Sequence, residues 1–171
     1  MPLKKPTDVP KVPKTRKKNP EAAKAAIPHK KEDKIEYVCS ALFLADELRR
    51  KQYCAFRVKT VAVFTSFAYE ISIDKRIDKH TIDLTLLGLQ TRTNYLPKTE
   101  PAVTDVLFEN LYGEYTVNLI KQDGSLNSAV FEFNIFKKNI KLVKKFIPEK
   151  KNNRLFCDFD VAEDEFTFLS E

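Results

Sequence analysis

The chain has 171 residues and a formal net charge of +6 at pH 7, with 43% hydrophobic and 11% aromatic residues. Valine, isoleucine, leucine and phenylalanine supply 51 of these residues. That share is well above the level of disordered chains, so we expect one domain with a packed core. The three glycines, two histidines and three cysteines exclude a glycine-rich phosphate loop and leave few ligands for a metal centre.

The charge is distributed unevenly along the chain. Residues 1–34 carry a net charge of +7, residues 35–136 of −2, residues 137–154 of +7 and residues 155–171 of −6. We therefore expect a nearly neutral body with a basic arm (residues 1–34), a basic strip (residues 137–154) and an acidic C-terminal end. Such asymmetry is typical of proteins with polyanionic or otherwise charged partners.

The cysteines, Cys39, Cys54 and Cys157, are irregularly spaced and form no CxxC pair. We expect free, buried thiols and a cytoplasmic or nuclear-type reducing compartment. A Cys/His nucleophile that uses His29 or His80 is the alternative, although neither histidine lies in a local catalytic signature. The chain shows no secretory apolar run at its start and no stretch of 18 apolar residues, so we expect neither a signal peptide nor a membrane span.

The basic arm is rich in both proline and lysine. Six of the nine prolines lie in its first 28 residues among like charges, so we expect a disordered or extended segment without a core of its own. Cations spaced along such a segment can neutralise phosphates or acidic protein surfaces. The predicted polyanion-binding residues of the arm are Lys4, Lys5, Lys11, Lys14, Arg16, Lys17, Lys18, Lys30 and Lys31.

The predicted folded domain spans residues 35–148 and begins with a helix at about residues 35–52. Its apolar residues recur at three- and four-residue spacing, and its cations fall in the last turn, where they favour the helix dipole. The apolar positions are Ile35, Val38, Leu42, Ala45 and Leu48. A buried strand at residues 38–44 is the alternative that this pattern leaves open.

Strands are predicted at about residues 56–147, where the hydrophobic period changes to two. Asp123-Gly124 is the clearest hairpin signal, because this pair readily adopts the positive φ angles of a tight turn. Residues 140–147 fit either a strand or a short helix. The residues of odd parity that we expect to face the core are Val61, Val63, Phe67, Tyr69, Ile71 and Ile73.

Six or seven strands compatible with antiparallel pairing predict a mainly β or α+β fold. We expect an antiparallel β-sandwich with one N-terminal helix, and an OB-like barrel is the alternative. The stretch Gly113-Glu114-Tyr115-Thr116-Val117 resembles the tyrosine corner that precedes the F strand of immunoglobulin-like domains. The resemblance implies an immunoglobulin-like style of sandwich, with Val117 at a core position.

The basic strip supplies further candidate polyanion-binding residues. Apolar residues alternate with its lysines, so an extended strip has one lysine face and one apolar face. Two interpretations stay open: an edge strand whose charges prevent aggregation, and a phosphate-tracking surface beside the arm. The lysines are Lys137, Lys138, Lys141, Lys144 and Lys145.

Residues 149–171 are predicted to form an acidic, aromatic C-terminal tail. Such a tail resembles those of single-stranded-DNA-binding proteins, which implies docking on a partner protein and competition with nucleic acid for a basic groove. The alternative is that Leu155, Phe156 and Phe159 pack back on the body as a last strand. The predicted partner-binding residues are Phe156, Phe159, Phe166 and Phe168.

The sequence contains no G-x-S-x-G, Walker or zinc-ligand motif and no carboxylate pair at catalytic spacing, so we expect no enzyme, cofactor or metal. The predicted function is a non-catalytic structural or assembly subunit, held to a larger complex or polyanion by its basic arm, with other protein subunits as partners. One alternative is a nucleic-acid-binding protein, with RNA or DNA on its sheet face and basic strip. A second is a protein-protein interaction module of an assembly without nucleic acid.

Overall fold

The computed structural model describes residues 32–92, 98–150 and 152–170 of the chain. Within these ranges the chain forms nine β-strands and one short 3-10 helix, Glu163–Glu165, and no α-helix. Residues 1–31, which contain all the predicted polyanion-binding residues of the arm, lie outside the described part. The strands are β1 (Tyr37–Asp46), β2 (Lys51–Phe64), β3 (Tyr69–Asp78), β4 (Thr81–Thr91), β5 (Glu100–Phe108), β6 (Gly113–Ile120), β7 (Leu126–Asn134), β8 (Asn139–Phe146) and β9 (Cys157–Val161).

The strands form two sheets that pack face to face as a sandwich. The four-stranded sheet has the order β5-β2-β1-β9, and the five-stranded sheet has the order β3-β4-β6-β7-β8. β1 is parallel to β9 and β4 is parallel to β6, whereas the other neighbours are antiparallel. The mainly β prediction is confirmed, but the sheets are mixed rather than purely antiparallel. Parallel neighbours need a crossover, and between β4 and β6 the chain crosses to the other sheet to form β5.

Residues 37–52 form β1, the turn that follows it and the start of β2, so the N-terminal helix predicted at about residues 35–52 is wrong. Cys39, Ala41 and Phe43 alternate into the core, as a strand requires. Leu42 is also fully buried, on the opposite face of β1. A strand buried on both faces loses its period of two, and its apolar residues then imitate helical spacing.

The odd-parity pattern predicted for residues 61–73 is correct in β3 and wrong before it. Ile71 is buried in the core, but Val61, Val63 and Phe67 are exposed. The register of β2 shifts between Lys59 and Val63, and a bend at residues 65–68 then moves the chain from one sheet to the other. A single parity cannot continue through these two irregularities.

Phenylalanine rings from both sheets form the centre of the core. The Phe56 ring of the four-stranded sheet lies 5.5 Å from the Phe131 ring and 5.7 Å from the Phe133 ring of the five-stranded sheet. Phe43 meets Phe133 at 6.5 Å, and all these contacts are edge-to-face. Phe131 and Phe133 are fully buried, so neither can stack on a nucleic-acid base from the surface of the sheet.

Side chains join the two sheets at both open edges of the sandwich. At one edge, the Thr104 hydroxyl of β5 accepts a hydrogen bond from Ile71 N of β3 and donates one to Ile71 O, both at 2.8 Å. At the other edge, Lys145 Nζ of β8 lies 2.7 Å from Asp158 Oδ1 of β9. The edges are therefore bridged by side chains. A closed barrel would instead require a backbone ladder between the edge strands.

Four-residue turns join β1 to β2 at residues 47–50, the first turn, and β7 to β8 at residues 135–138, the second turn. We call the end of the sandwich that carries them the turn end. The opposite end, the root end, contains residues 32–36, the β6–β7 hairpin at residues 121–125 and the β8–β9 connection at residues 147–156. The arm therefore joins the sandwich at the root end.

The aromatic core predicts a sharp contrast between two phenylalanines that lie three residues apart. We expect Phe133→Ala to lower the free energy of unfolding by about 3 to 5 kcal/mol, because it opens a cavity among packed rings. Phe136→Ala is the matched control and should change it by less than about 0.5 kcal/mol, because Phe136 is 87% exposed. Urea denaturation followed by circular dichroism measures both. Equal losses would contradict the described core.

Candidate interaction surfaces

The basic strip begins in the second turn and continues as β8, an edge strand of the five-stranded sheet. Lys141 pairs with Glu132 and Lys144 pairs with Val130, so both lysines share the outer face of the sheet. Lys145 pairs with the buried Ala129 and therefore points toward the other sheet. Of the two interpretations of the strip, the edge strand is therefore the one that matches the position of β8.

Contacts within the protein occupy part of the strip. Lys145 forms the ion pair with Asp158 that bridges the two sheets. Lys138 Nζ lies 4.8 Å from the centre of the Phe168 ring, and Lys144 Nζ lies 4.6 Å from that of Phe146. A cation that lies above the face of an aromatic ring is attracted by the electrons of the ring. The strip is thus an exposed basic surface, and Lys145 contributes less of its charge to that surface because it is paired with Asp158.

The C-terminal segment, residues 155–170, packs against the sandwich over most of its length. Phe156 and Phe159 are buried in the core, so neither side chain can reach a partner while the sandwich is intact. Phe166 and Phe168 are half-buried against Phe43, with ring centres 5.1 Å and 5.5 Å from its own. The alternative in which the tail packs back on the body as a last strand is therefore correct for residues 157–161, which form β9 beside β1.

Beyond β9 the C-terminal segment follows the edge of β1. Thr167 N donates to Phe43 O at 2.9 Å, and Ala45 N donates to the Thr167 hydroxyl at 2.9 Å. The Arg57 guanidinium forms an ion pair with Asp105 on β5 and with Glu165 in the 3-10 helix. The Asp105 hydrogen bond is the main cause of the raised pKa of Arg57. An acidic segment therefore lies along the body instead of extending from it.

Backbone hydrogen bonds fix the root of the arm to the C-terminal segment. Lys34 N donates to Leu155 O at 3.0 Å, and Glu36 N donates to Phe156 O at 2.7 Å. In the reverse direction, Leu155 N donates to the Asp33 carboxylate at 2.9 Å. The first described residues of the chain are therefore held against the backbone that enters β9.

The buried Asn127 amide organises the root end. Its Oδ1 accepts hydrogen bonds from Phe156 N at 2.8 Å and Cys157 N at 2.9 Å. Its Nδ2 donates to Leu126 O and Arg154 O, both at 2.9 Å. One side chain thus satisfies backbone groups of the β6–β7 hairpin and of the chain that enters β9.

A carboxylate and two cations form a second cluster at the root end. Glu36 accepts hydrogen bonds from Lys121 Nζ at 2.6 Å and from Arg154 Nη2 at 2.7 Å. Burial raises the pKa of Glu36, but the hydrogen bonds and charges of Lys121 and Arg154 outweigh burial, so the pKa lies below its ordinary value of 4.5. The carboxylate is therefore ionised at neutral pH and links the arm root to the hairpin and to the β8–β9 connection.

The three cysteine thiols are free and buried, as predicted. Burial raises the pKa of Cys54 to about 11, and it raises the pKa values of Cys39 and Cys157 further. Thiols in this state remain protonated at neutral pH and are poor nucleophiles. His80 lies at the β3–β4 turn, where its Nδ1 is 3.1 Å from Glu114 O and its ring packs on Tyr115.

A concavity lies at the root end between the outer face of the five-stranded sheet and residues 146–150, 152 and 153. It has a volume of about 760 Å³, and Leu126, Phe146 and Ile147 are among its apolar lining residues. Among the described residues, the ionisable side chains that line it are Glu149 and Lys150. No group of three potential metal-ligating side chains occurs in residues 32–92, 98–150 and 152–170.

Comparison with protein-family models, with curated proteins and with solved structures finds no match to this chain. Within the described part of the chain, no helix has the length and apolar character needed to cross a bilayer. The candidate surfaces therefore rest on the geometry of the protein itself.

The Asn127 contacts predict a large effect of a small truncation. We expect Asn127→Ala to lower the free energy of unfolding by about 2 to 4 kcal/mol, because it leaves buried backbone N–H groups of Phe156 and Cys157 without an acceptor. Asn152→Ala, at an exposed position nearby, is the control and should be nearly neutral. Urea denaturation measures the difference. Equal, small effects would show that Asn127 does not hold the root end together.

The lowered pKa of Glu36 predicts acid-dependent stability. A depressed carboxyl pKa contributes stability that is complete above the unfolded-state pKa and is lost as the pH falls through the folded-state pKa. We expect Glu36→Gln to cost about 1 to 2 kcal/mol at neutral pH, since Lys121 and Arg154 lose their charged partner. The difference in the free energy of unfolding between wild type and variant should become smaller as the pH is lowered to about 3. A gap independent of pH, measured by urea midpoints, would contradict this role.

Proposed function

We propose that the protein is a non-catalytic structural or assembly subunit that is anchored to an anionic partner through its basic N-terminal arm. The partner is a polyanion or the acidic surface of a larger protein complex. The observation that carries the proposal is the fixed root of the arm. Hydrogen bonds join Lys34 and Glu36 to the backbone of the C-terminal segment, so the arm has a rigid point of attachment to the sandwich.

The charges of the arm support an electrostatic anchor. Eleven lysines and arginines fall within its 34 residues against four acidic residues. Each cation that neutralises a phosphate releases a condensed counterion, which gives affinity without sequence preference. The hydrogen bonds at Lys34 and Glu36 hold the base of this anchor against the sandwich, which limits how far the sandwich can move relative to the bound partner.

The strip supports a secondary contribution to the same partner. Lys137, Lys141 and Lys150 are exposed and form no ion pair with any residue that the structure describes. Lys145 is engaged with Asp158, and the acidic C-terminal segment lies beside β8. We therefore assign the larger share of the affinity to the arm and the smaller share to the strip.

Base stacking on the sheet receives less support than the arm. Phe131 and Phe133 are buried in the core, and the rings of Phe64 and Tyr69 pack on each other at 4.8 Å. Phe67 and Phe136 are exposed, but Phe67 lies in the bend after β2, near the root end, whereas Phe136 lies in the second turn at the turn end. The aromatic residues therefore do not form one continuous platform for successive bases.

The buried free thiols support a reducing compartment.

Neutralising the arm in the full chain tests this proposal. In the arm variant, all nine predicted polyanion-binding residues of the arm become glutamine. We expect its affinity for single-stranded DNA, heparin and polyglutamate to fall by at least about tenfold, and the slope of log K against log salt to become shallower, because fewer counterions are released. Fluorescence anisotropy measures both quantities with labelled probes.

The matched control carries glutamine at Lys137, Lys141 and Lys144, which keeps the arm and the Lys145–Asp158 ion pair intact. We expect this strip variant to lose less affinity than the arm variant. Binding that survives the arm variant and prefers single strands would favour the sheet-face alternative. No binding of the wild type to any probe at about 50 mM salt would contradict an electrostatic anchor.

A further inference from the structure

The first and second turns have the same construction, although they belong to different sheets. In each, a side-chain oxygen of the residue before the turn accepts a hydrogen bond from the backbone N–H three residues later. Asp46 Oδ1 accepts from Arg49 N, and Asn134 Oδ1 accepts from Lys137 N, each at 3.0 Å. The two turns are thus matched position by position.

The second residue of each turn is a large apolar side chain in water. Leu48 is 98% exposed and Phe136 is 87% exposed. The Tyr112 ring, which is also exposed, meets the Phe136 ring edge-on at 6.1 Å. Apolar side chains exposed to this degree at matched positions, one of them beside a second exposed ring, form a candidate contact surface.

Two cations follow the apolar residue in each turn: Arg49 and Arg50 in the first, Lys137 and Lys138 in the second. The last residue of each turn has a left-handed backbone, with φ of 51° at Arg50 and 50° at Lys138. Glycine adopts this conformation without steric cost, whereas a residue with a side chain is strained there. The fold of the turn therefore does not explain why both positions carry a cation.

Both turns border the last residues of the C-terminal segment, so they share one end of the sandwich. Lys138 Nζ lies over the Phe168 ring, and the Ser170 hydroxyl donates to Glu47 Oε1 at 2.9 Å. Phe168 in turn packs on Phe43, close to the end of β1. The apolar side chains of the two turns therefore project from the same end.

Two acidic side chains at this end, Asp46 and Glu109, are paired with cations, whereas Asp78 and Glu114 are exposed and form no ion pair with any described residue. Asp46 Oδ2 lies 3.8 Å from Arg49 Nε, and Glu109 Oε1 lies 2.7 Å from Lys51 Nζ. Arg50 and Lys137 form no ion pair with any residue that the structure describes. The turn end thus combines exposed apolar tips with uncompensated cations directly behind them.

We propose that the turn end docks on a lipid surface that carries anionic headgroups. Leu48 and Phe136 enter the boundary between headgroups and acyl chains, and the cations behind them contact the headgroups. The Tyr112 ring, with its apolar body and polar hydroxyl, suits the same boundary. This docking goes beyond the anchoring role of the arm, which joins the sandwich at the opposite end.

The shape and chemistry of the two tips favour lipid over nucleic acid or protein. Leu48 is aliphatic and cannot stack on a base. The Tyr112 and Phe136 rings are inclined at 68° and so present no flat platform. The tips are convex, and a fluid layer can close around them, whereas a folded protein would need two pockets at matching positions.

The absence of tryptophan from the sequence allows a direct test. In the full chain, Phe136→Trp places the only tryptophan at the second turn, and Phe67→Trp places it instead at an exposed site in the bend after β2. Each protein is mixed with vesicles of phosphatidylcholine and phosphatidylserine, and with vesicles of phosphatidylcholine alone. We expect a blue shift of tryptophan emission for Phe136→Trp with the anionic vesicles, and none for Phe67→Trp.

A sedimentation assay with the same vesicles gives the second readout. We expect Leu48→Ser combined with Phe136→Ser to weaken partitioning by at least about tenfold, while circular dichroism shows an unchanged fold. Leu126→Ser, at a partly exposed leucine of the root end, is the control and should not change it. The arm is unaltered in all of these variants, so its own attraction to anionic vesicles is common to them.

Three results would overturn the proposal. One is a blue shift for Phe67→Trp that equals or exceeds that for Phe136→Trp, which means that the arm brings the root end to the vesicle. The second is unchanged sedimentation of the double serine variant. The third is loss of single-stranded DNA or polyglutamate binding by that variant with vesicle binding intact, which assigns the turn end to nucleic acid or to an acidic protein.

Discussion

The hydrogen bonds of the buried Asn127 amide set the position of the chain as it enters the four-stranded sheet. β9 joins that sheet by parallel pairing with β1, so no tight turn between the two strands can define their register. Asn127 holds the backbone of Phe156 and Cys157, and Cys157 is the residue at which the pairing with Tyr37 begins. Because the same backbone anchors the arm, one amide from the other sheet fixes the register of β9 and the root of the arm together.

The route of the C-terminal segment also changes the meaning of the charge map. Along the sequence, the basic strip and the acidic end are separate blocks of opposite sign. In the fold, β8 and β9 are the facing edges of the two sheets, and Lys145 and Asp158 join them. Part of the charge that suggests a partner therefore stabilises the sandwich itself. What remains for partners is the outer face of β8, the turn end and the arm.

Local rules predicted the parts of this fold that depend on neighbouring residues. The Asp123-Gly124 hairpin follows from turn chemistry, and the strands after residue 56 follow from a hydrophobic period of two. The helix at residues 35–52 was wrong because Leu42 is buried on the face of β1 opposite the core. Its neighbours Ala41 and Phe43 accept hydrogen bonds from Ala162 N and Thr167 N, more than a hundred residues along the chain, and local periodicity does not reveal such a segment. The burial of Phe156 and Phe159 likewise depends on long-range parallel pairing, which leaves no local signal. The two matched turns are visible in the sequence as similar stretches, but only the topology places them at one end.

The position of β1 between β2 and β9 has a mechanical consequence. The arm continues into β1 at the root end, and β1 runs from there toward the turn end. Tension between the arm and the turn end therefore pulls β1 along its own axis. The hydrogen bonds on both sides of the strand then share the load in shear and must break together, instead of opening one at a time as in an unzipping hairpin. Any force along the line that joins the two ends would therefore be opposed by both ladders of β1 at once.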